Sequence, residues 1–472
     1  MADKQFDLVI LGGGSGGYAA ALRAAELGKT VALIEKDKVG GTCLHRGCIP
    51  TKALLHAGEI ADYVRESETF GVNATFGGID MAGVHKYKDG VIGKNWKGLT
   101  ALIKSRGIEI VEGEGRLTGP KTVSVSGGAP GNEGVAAGGG DNYTGSYVVL
   151  ATGSYSRTIP GLEIDGQRII ASEHALTLDH VPATAIVLGG GVIGVEFASA
   201  WKSFGSDVTI VEALPHLVPA EDEANSKLLE RAFRRRGINF KLGVRFAGAE
   251  KTDSGVRVTL ENGETLEAEV LLVAIGRGAN IADLGYEEQG VAMDRGTVVV
   301  NEYCQTSVPG IYAVGDIIPT LQLAHVGFAE GILVAEHIAG LPVVPIDYAG
   351  VPRITYSSPE VASVGLTEAQ AAEKYGAEAI KSVTYDLSGN GKSAILNARG
   401  AVKLVAAKDG PVLGVHIVGE HTGELIAEAQ LIYNWEALPG EVAQLIHPHP
   451  TQSEAIGEAH LLLAGKPLHV HE

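Results

Sequence analysis

Apolar runs in this chain are short, and twice they lead into the same arrangement of glycines. Phe6 to Leu11 is an apolar run followed by Gly-Gly-Gly-Ser-Gly-Gly. An Ala-rich stretch then extends from Ser15 to Leu27, with Gly28 behind it and a second apolar run, Thr30 to Ile34, that ends in Glu35. The order predicts strand, turn, helix and strand, with Gly28 ending the helix. The pattern returns at Ala185 to Leu188, where Gly-Gly-Gly-Val-Ile-Gly opens a helix to Phe204, Gly205 ends it, and Asp207 to Val211 runs into Glu212. Glu35 follows Gly14 at the same interval as Glu212 follows Gly191. This is a large internal repeat.

Two weaker signals echo each other. Val148 to Leu150 leads into Ala151-Thr152-Gly153, and Leu271 to Val273 leads into Ala274-Ile275-Gly276, each read as a buried strand ending in a glycine turn. Ile311 to Val314 is a further strand, followed by Gly315-Asp316. Beyond Val351 the pattern changes: strands at Val402 to Ala406 and Val412 to Val418 mix with helices at Thr422 to Trp435 and Thr451 to Leu463, which predicts a separate α+β unit. Gly127 to Asp141 is low in complexity and reads as a flexible hairpin tip.

The chain has 472 residues, enough for about three domains, and 45% of them are hydrophobic. Its net charge of −18 argues against general nucleic-acid binding and against docking on an anionic membrane. Solubility is the plainer reading of that charge. No apolar run reaches the roughly 18 residues of a spanning helix, and Met1 to Phe6 has no basic-then-apolar leader. A cytoplasmic protein is expected. Three cysteines cannot staple a secreted scaffold, and two of them, Cys43 and Cys48, lie close together, which in a reducing compartment suggests chemistry.

Gly12-x-Gly14-x-x-Gly17 supplies a tight turn, a close backbone approach for a pyrophosphate and tight helix–strand packing; Glu35 can then bind ribose hydroxyls. Gly189-x-Gly191-x-x-Gly194 with Glu212 meets the same requirements. A carboxylate at Glu212 repels a ribose 2′-phosphate, and Ala213 to Val218 contains no Arg or Lys to receive one, so NAD is favoured over NADP. Two dinucleotide folds call for two occupants, most economically a flavin and a nicotinamide.

Cys43 and Cys48 stand in Gly41-Thr42-Cys43-Leu44-His45-Arg46-Gly47-Cys48-Ile49-Pro50-Thr51-Lys52. Pro50 suits the first turn of a helix whose N-terminus would lower the Cys48 pKa. A ferredoxin-like cluster would need a cysteine where Thr51 stands, and zinc on Cys43, His45 and Cys48 lacks a fourth ligand, so no metal is expected. Two inert buried thiols remain the competing reading, and Cys304 reads as inert core. Near the C-terminus, in His447-Pro448-His449-Pro450-Thr451-Gln452-Ser453-Glu454, His449 and Glu454 can pair across a helix start as base and orienting carboxylate. Taken alone, such a histidine reads more readily as structural.

Over its whole length the chain resembles the pyridine nucleotide–disulfide oxidoreductases, and within them the dihydrolipoamide dehydrogenase branch; GGTCLHRGCIPTK, the two GxGxxG units, AVGD and HPHPTQSE carry the resemblance. It implies an α/β fold of two Rossmann-like domains, for FAD and NAD, with a C-terminal α+β dimerisation domain. The expected segments are 1–155 and 279–350 for FAD, 156–278 for NAD and 351–472 for the interface. It further implies that Cys43 exchanges with the lipoyl sulfur, that Cys48 faces the flavin, and that His449, with Glu454 behind it, is the base serving the partner subunit's disulfide. Tightly bound FAD would be held by Gly12, Gly14, Gly17, Glu35, Thr42, Lys52, Gly115, Thr152, Gly153, Ser154, Asp316, Gln322, Leu323, Ala324 and His325. NAD would be held by Gly189, Gly191, Val192, Ile193, Gly194, Glu196, Glu212 and Gly276, with Glu196 also pairing with Lys52. The implied reaction oxidises a protein-bound dihydrolipoyl group with NAD⁺. The implied partners are a second copy, a lipoylated acyltransferase or glycine-cleavage carrier protein, and a peripheral-subunit-binding domain of a 2-oxoacid dehydrogenase complex. The lipoyl group is expected to come from another chain.

His45 stands where the family often has Asn, and Thr51 where it often has Ser. Another NAD(P)H-dependent flavin disulfide reductase is the nearest alternative, but a glutathione-type enzyme wants basic residues after the second fingerprint, and mercuric reductase wants a C-terminal cysteine pair. A transhydrogenase would not need Cys43, His449 or Glu454. A flavin-bearing structural subunit or redox-sensing module is the alternative of a different class.

Overall fold

The computed structural model describes residues 3–127 and 141–470. The tip of the expected hairpin, 128–140, lies outside the described residues; the strands on either side, Thr122–Ser126 and Asp141–Leu150, pair antiparallel.

The chain divides into two compact units. The first comprises 1–53, 85–157 and 277–348. Its sheet runs in the order Glu109–Glu112, Val31–Glu35, Asp3–Leu11, Asp141–Leu150, Thr122–Ser126, Glu114–Gly119. The late strand Ile311–Ala313 also pairs with Asp141–Leu150, parallel, as Asp3–Leu11 does. Leu8, Val9, Ile10, Leu33 and Ile34 are fully buried, because parallel strands covered on both faces must be apolar at successive positions. Helix Ser15–Glu26 ends at Leu27, with Gly28 at φ +79° closing it as the sequence predicts.

The second unit comprises 54–84, 158–276 and 349–472. Its parallel sheet runs Asn239–Leu242, Asp207–Glu212, Thr184–Leu188, Val270–Val273, Ile169–Ile170. In each unit the strand before the Gly fingerprint lies between the strand ending in the acid and a strand ending in the Ala-x-Gly turn. The repeat goes further than the sequence pattern showed, because each also carries antiparallel strands before that last strand: Glu114–Gly119 and Thr122–Ser126 in one, Phe246–Lys251, Val256–Leu260 and Thr265–Ala268 in the other.

The C-terminal part of the second unit is a five-stranded antiparallel sheet, ordered Arg353–Thr355, Glu360–Gly365, Val412–Gly419, Ala401–Ala407, Ile380–Asp386. Helix Thr422–Asn434 packs Ile426, Ala429 and Ile432 into the same core as Val415 and Ile417. The last helix begins at Glu454, not at Thr451 as the pattern suggested. The Thr451 amide donates to the Glu454 side chain and the Thr451 hydroxyl to the Pro448 carbonyl, so these residues form a turn ahead of the helix.

Candidate active site

Each Gly fingerprint is built by steric exclusion. Gly12 sits at φ +109°, and a Cβ there would lie 2.2 Å from the Ala151 carbonyl oxygen. A Cβ on Gly17 would lie 1.8 Å from the Gly12 carbonyl. In the second unit Gly189, at φ +111°, would meet the Ala274 carbonyl at 2.3 Å, and Gly194 would meet the Gly189 carbonyl at 1.9 Å. The Ala-Thr-Gly and Ala-Ile-Gly turns therefore press on equivalent points of the two fingerprints. The middle glycines differ from their neighbours: the space beside Gly14 holds only the Gly41 Cα at 3.9 Å, and beside Gly191 nothing lies within 4 Å. Gly14 and Gly191 cap their helices without a side chain, which leaves the helix N-termini open to a pyrophosphate.

The acids close each cradle. Glu35 Oε2 accepts the Gly13 amide at 2.7 Å and Oε1 the Asp37 amide at 2.9 Å. Glu212 Oε2 accepts the Gly190 amide at 2.6 Å and Oε1 the Leu214 amide at 2.8 Å. Carboxylate oxygens have further lone pairs, so both residues can still accept from ribose hydroxyls. Burial pushes the Glu35 carboxyl up, against the pull of the Gly13 amide. The residues of both cradles fit dinucleotides.

The cysteine loop is fastened to the first fingerprint. The Gly40 amide donates to the Gly13 carbonyl at 2.8 Å, and Gly41, at φ +60°, approaches so closely that its Cβ would lie 2.6 Å from the Gly14 Cα. Helix Gly41–Arg46 carries Thr42 and Cys43. Helix Cys48–Glu66 starts at Cys48, with Pro50 in its first turn as expected. Both cysteines are half-buried. Their side chains hydrogen-bond, and that bond, followed by burial, pushes the Cys43 thiol far up while the Lys52 charge pulls the other way. Cys48 stands at the N-terminus of its helix, where the helix dipole favours negative charge. His45 points Nε2 at the Val39 carbonyl, 3.0 Å away, and stands edge-on to Trp96.

The expected flavin residues of the late segment gather around Asp316. The Ser154 hydroxyl donates to Asp316 Oδ2, and the Gln322 side chain donates to the Asp316 carbonyl at 3.3 Å. Leu323 caps the helix Ala324–Ile338, which places Ala324 and His325 in its first turn. Thr152 donates to the Asn280 carbonyl at 2.7 Å, and the Asn280 amide returns to Gly153 at 2.8 Å. Gly115 serves packing: a Cβ there would lie 2.5 Å from Leu11 Cδ1 and 3.0 Å from Ile34 Cγ2, at the strand ends nearest the fingerprint.

In the second unit Val192 and Ile193 open the fingerprint helix. Glu196, buried, accepts the Tyr356 amide at 2.9 Å. Gly276 is at φ +111° with open space beside it. His449 Nδ1 lies 2.8 Å from Glu454 Oε1, and the imidazole is largely exposed. Burial opposes the charge on Glu454, but the Thr451 amide and His449 outweigh it and hold the carboxyl below its ordinary range.

Several residues were missed by sequence reasoning. Arg277 donates Nε to the Ser154 hydroxyl and Nη2 to its carbonyl, both at 2.7 Å, and so braces Asp316. Tyr18 packs on Phe328, and its hydroxyl is pushed up to about 12, first by burial and then by the Cys43 and Cys48 charges. Glu330 accepts the Gly315 amide at 2.6 Å, the Thr320 hydroxyl at 2.8 Å and the Tyr348 hydroxyl at 3.0 Å. His447 pairs with Glu428 at 2.7 Å, a second histidine–carboxylate pair beside the first. Only the last had a signal, in the doubled histidine of His447-Pro448-His449. Cys304 is buried, and its thiol is pushed up to about 12 by burial and by Glu330.

Residues 6–331 match the family model described as pyridine nucleotide-disulphide oxidoreductase, and residues 351–460 match the dimerisation domain of the same group. A dihydrolipoyl dehydrogenase of Bacillus subtilis (strain 168) is 43% identical over 98% of this chain and 99% of its own length. A mitochondrial dihydrolipoyl dehydrogenase of Pisum sativum is 38% identical, over 98% of this chain and 92% of that one. Among solved structures, LpdA from Mycobacterium tuberculosis superposes with a TM-score of 0.88 at 29% identity, covering 98% of this chain and 99% of that one.

Proposed function

The chain belongs to the pyridine nucleotide-disulphide oxidoreductase family, and from that premise we infer that it oxidises a protein-bound dihydrolipoyl group to the lipoyl disulfide and reduces NAD⁺ to NADH. FAD and NAD are its cofactors, and the dimerisation domain makes it a homodimer. The observation that carries the reading is the hydrogen-bonded pair Cys43 and Cys48 on a loop fastened to the first dinucleotide cradle.

In the proposed cycle the chain begins with Cys43 and Cys48 as a disulfide. His449 of the partner subunit, its Nδ1 held by Glu454, takes a proton from a substrate thiol at Nε2. The substrate thiolate attacks the Cys43 sulfur, and Cys48 leaves as a thiolate stabilised by the helix N-terminus. The second substrate sulfur then attacks the lipoyl sulfur of the mixed disulfide; the His449 imidazolium gives its proton to the leaving Cys43 sulfur and takes up that of the second thiol, so the lipoyl disulfide is released and Cys43 is left as a thiol. When bound, FAD supplies the two-electron relay between this dithiol and NAD⁺. Asp316, braced by Ser154 and Arg277, would hold the ribityl chain, and Gly14 with Glu35 the adenine half. Gly191 and Glu212 would hold NAD, and the Glu212 carboxylate disfavours a 2′-phosphate.

The four segments 1–155, 156–278, 279–350 and 351–472 are read as FAD, NAD, central and interface regions. The substrate is read as a lipoylated acyltransferase or glycine-cleavage carrier protein, with docking to a peripheral-subunit-binding domain. The cytoplasm is the proposed compartment, supported by a cysteine content of three, too few to staple a secreted scaffold, with Cys43 and Cys48 close together in sequence. Among the described residues no helix is long and apolar enough to cross a membrane.

Steady-state NADH formation with dihydrolipoamide as donor tests the function. The flavin-loaded dimer should reduce NAD⁺ far faster than NADP⁺. A flavin-loaded dimer that forms no NADH would overturn the reading.

A further inference from the structure

A cleft of about 600 Å³ opens in the second unit, between the helix Glu223–Arg235 and the segment joining the strands Ile380–Asp386 and Ala401–Ala407. Arg231, Arg235 and Arg399 line it, over an apolar floor that includes Leu228 and Val418. This volume falls within the roughly 300–1,000 Å³ of small-molecule sites.

The three guanidiniums are unusual in their surroundings. The chain carries a net charge of −18, yet this cleft has three arginines and a single lining acid, Asp386. Their neighbours in sequence have structural work. Arg234 lies over the Phe240 ring, 4.6 Å from its centre. Arg236 donates to the Ser199 and Ser203 hydroxyls and pairs with Asp62 at 3.1 Å. Arg231, Arg235 and Arg399 have no ion-pair partner among the described residues. A cation in the last turn of a helix is favoured by the helix dipole, which accounts for Arg235. It accounts less for Arg231, one turn earlier on the same face, and not at all for Arg399, which comes from another element.

The cleft is separate from the NAD cradle. The helix Glu223–Arg235 connects the parallel strands Asp207–Glu212 and Asn239–Leu242, so its C-terminal end lies where those strands begin. The fingerprint lies at the ends of the strands, the opposite edge of the sheet.

We propose that this cleft binds a small di- or triphosphate. Arginine forks match phosphate oxygens bidentately, and three of them suit at least two phosphate groups. The apolar floor and Asp386 suit a base and a hydroxyl, so a nucleotide and an inorganic anhydride share the required chemistry, and the experiment separates them.

The test is calorimetric titration of the flavin-loaded dimer, with saturating NADH to fill the nicotinamide site, by inorganic pyrophosphate, by ADP and by adenosine. The expected result is one site per chain for pyrophosphate or ADP, and none for adenosine. Tighter binding of ADP than of pyrophosphate identifies a nucleotide, and equal binding an inorganic anhydride. Arg231→Gln with Arg399→Gln should weaken binding by about tenfold or more, the loss expected from charged hydrogen bonds. FAD content and dihydrolipoamide turnover should not change. Arg235→Gln alone is the second variant, should the double one not fold, and it should also lower the salt dependence of binding. No heat from pyrophosphate or ADP at millimolar concentration overturns the proposal. So does binding that the arginine variants leave intact.

Discussion

Glu454 holds His449 from one side and its own turn from the other: Oε1 lies 2.8 Å from His449 Nδ1, while Oε2 accepts the Thr451 amide at 2.7 Å. One carboxylate thereby fixes the imidazole and the loop that presents it, and leaves Nε2 to act. His449→Gln should cut the dithiol-oxidising rate by about 10²- to 10⁴-fold, the usual worth of a general base. NADH oxidation by an artificial acceptor, which bypasses the dithiol, should stay near wild type. Glu454→Gln should fall between the two. Equal losses in both assays would show that the histidine only supports the fold.

Cys43→Ser and Cys48→Ser should each abolish lipoyl turnover while FAD stays bound, because each removes one sulfur of the exchange pair and neither residue is needed to seat Gly13 or Gly14. The check is flavin absorbance per chain beside turnover. Lipoyl turnover surviving in either variant would refute the exchange mechanism.

Gly17→Ala and Gly194→Ala make the same insult in different places, since each Cβ would lie under 2 Å from a backbone carbonyl oxygen. Such overpacking costs about 1–3 kcal/mol. Gly17→Ala should lower bound FAD per chain. Gly194→Ala should retain FAD and raise the KM for NAD⁺ several-fold. A Gly194→Ala enzyme with a wild-type KM would mean the second fingerprint does not seat NAD.

Glu330 is fully buried, and burial pushes its carboxyl up to about 7, against three hydrogen bonds. Folding therefore favours its protonated form. The stability this contributes is fully present below the ordinary carboxylate range and is lost as pH rises through about 7. The wild-type melting temperature should carry a component that falls with pH between about 5 and 7, and Glu330→Gln should remove it. An identical pH slope in the variant would show that Glu330 does not titrate in that window.

The parts of the site that were legible in the sequence are those whose chemistry is local. Gly12 to Gly17 and Gly189 to Gly194 can be read because a turn, a helix start and the following strand fit within one short stretch. Cys43 and Cys48 can be read because the second stands at the start of a helix marked by Pro50. The Asp316 brace could not be read: Ser154 and Arg277 come from strands far apart in sequence, and their bond exists only because Ser154–Ser156 pairs antiparallel with Arg277–Ala279. The start of the last helix was placed too early because the hydroxyls of Thr451 and Ser453 and the Glu454 carboxylate stabilise a turn, and the apolar pattern does not register it.

The sequence alone determined two dinucleotide cradles and a close pair of cysteines after the first, since each depends on backbone geometry and residue type over a few positions; the pairing of His449 with Glu454 needed the folded turn. Tertiary structure decided that 54–84 groups with the second unit, which strands of the C-terminal sheet are neighbours, and that Arg231 and Arg399 share a cleft. Those outcomes rest on strand pairing and side-chain packing between distant segments, which no local pattern of residues encodes.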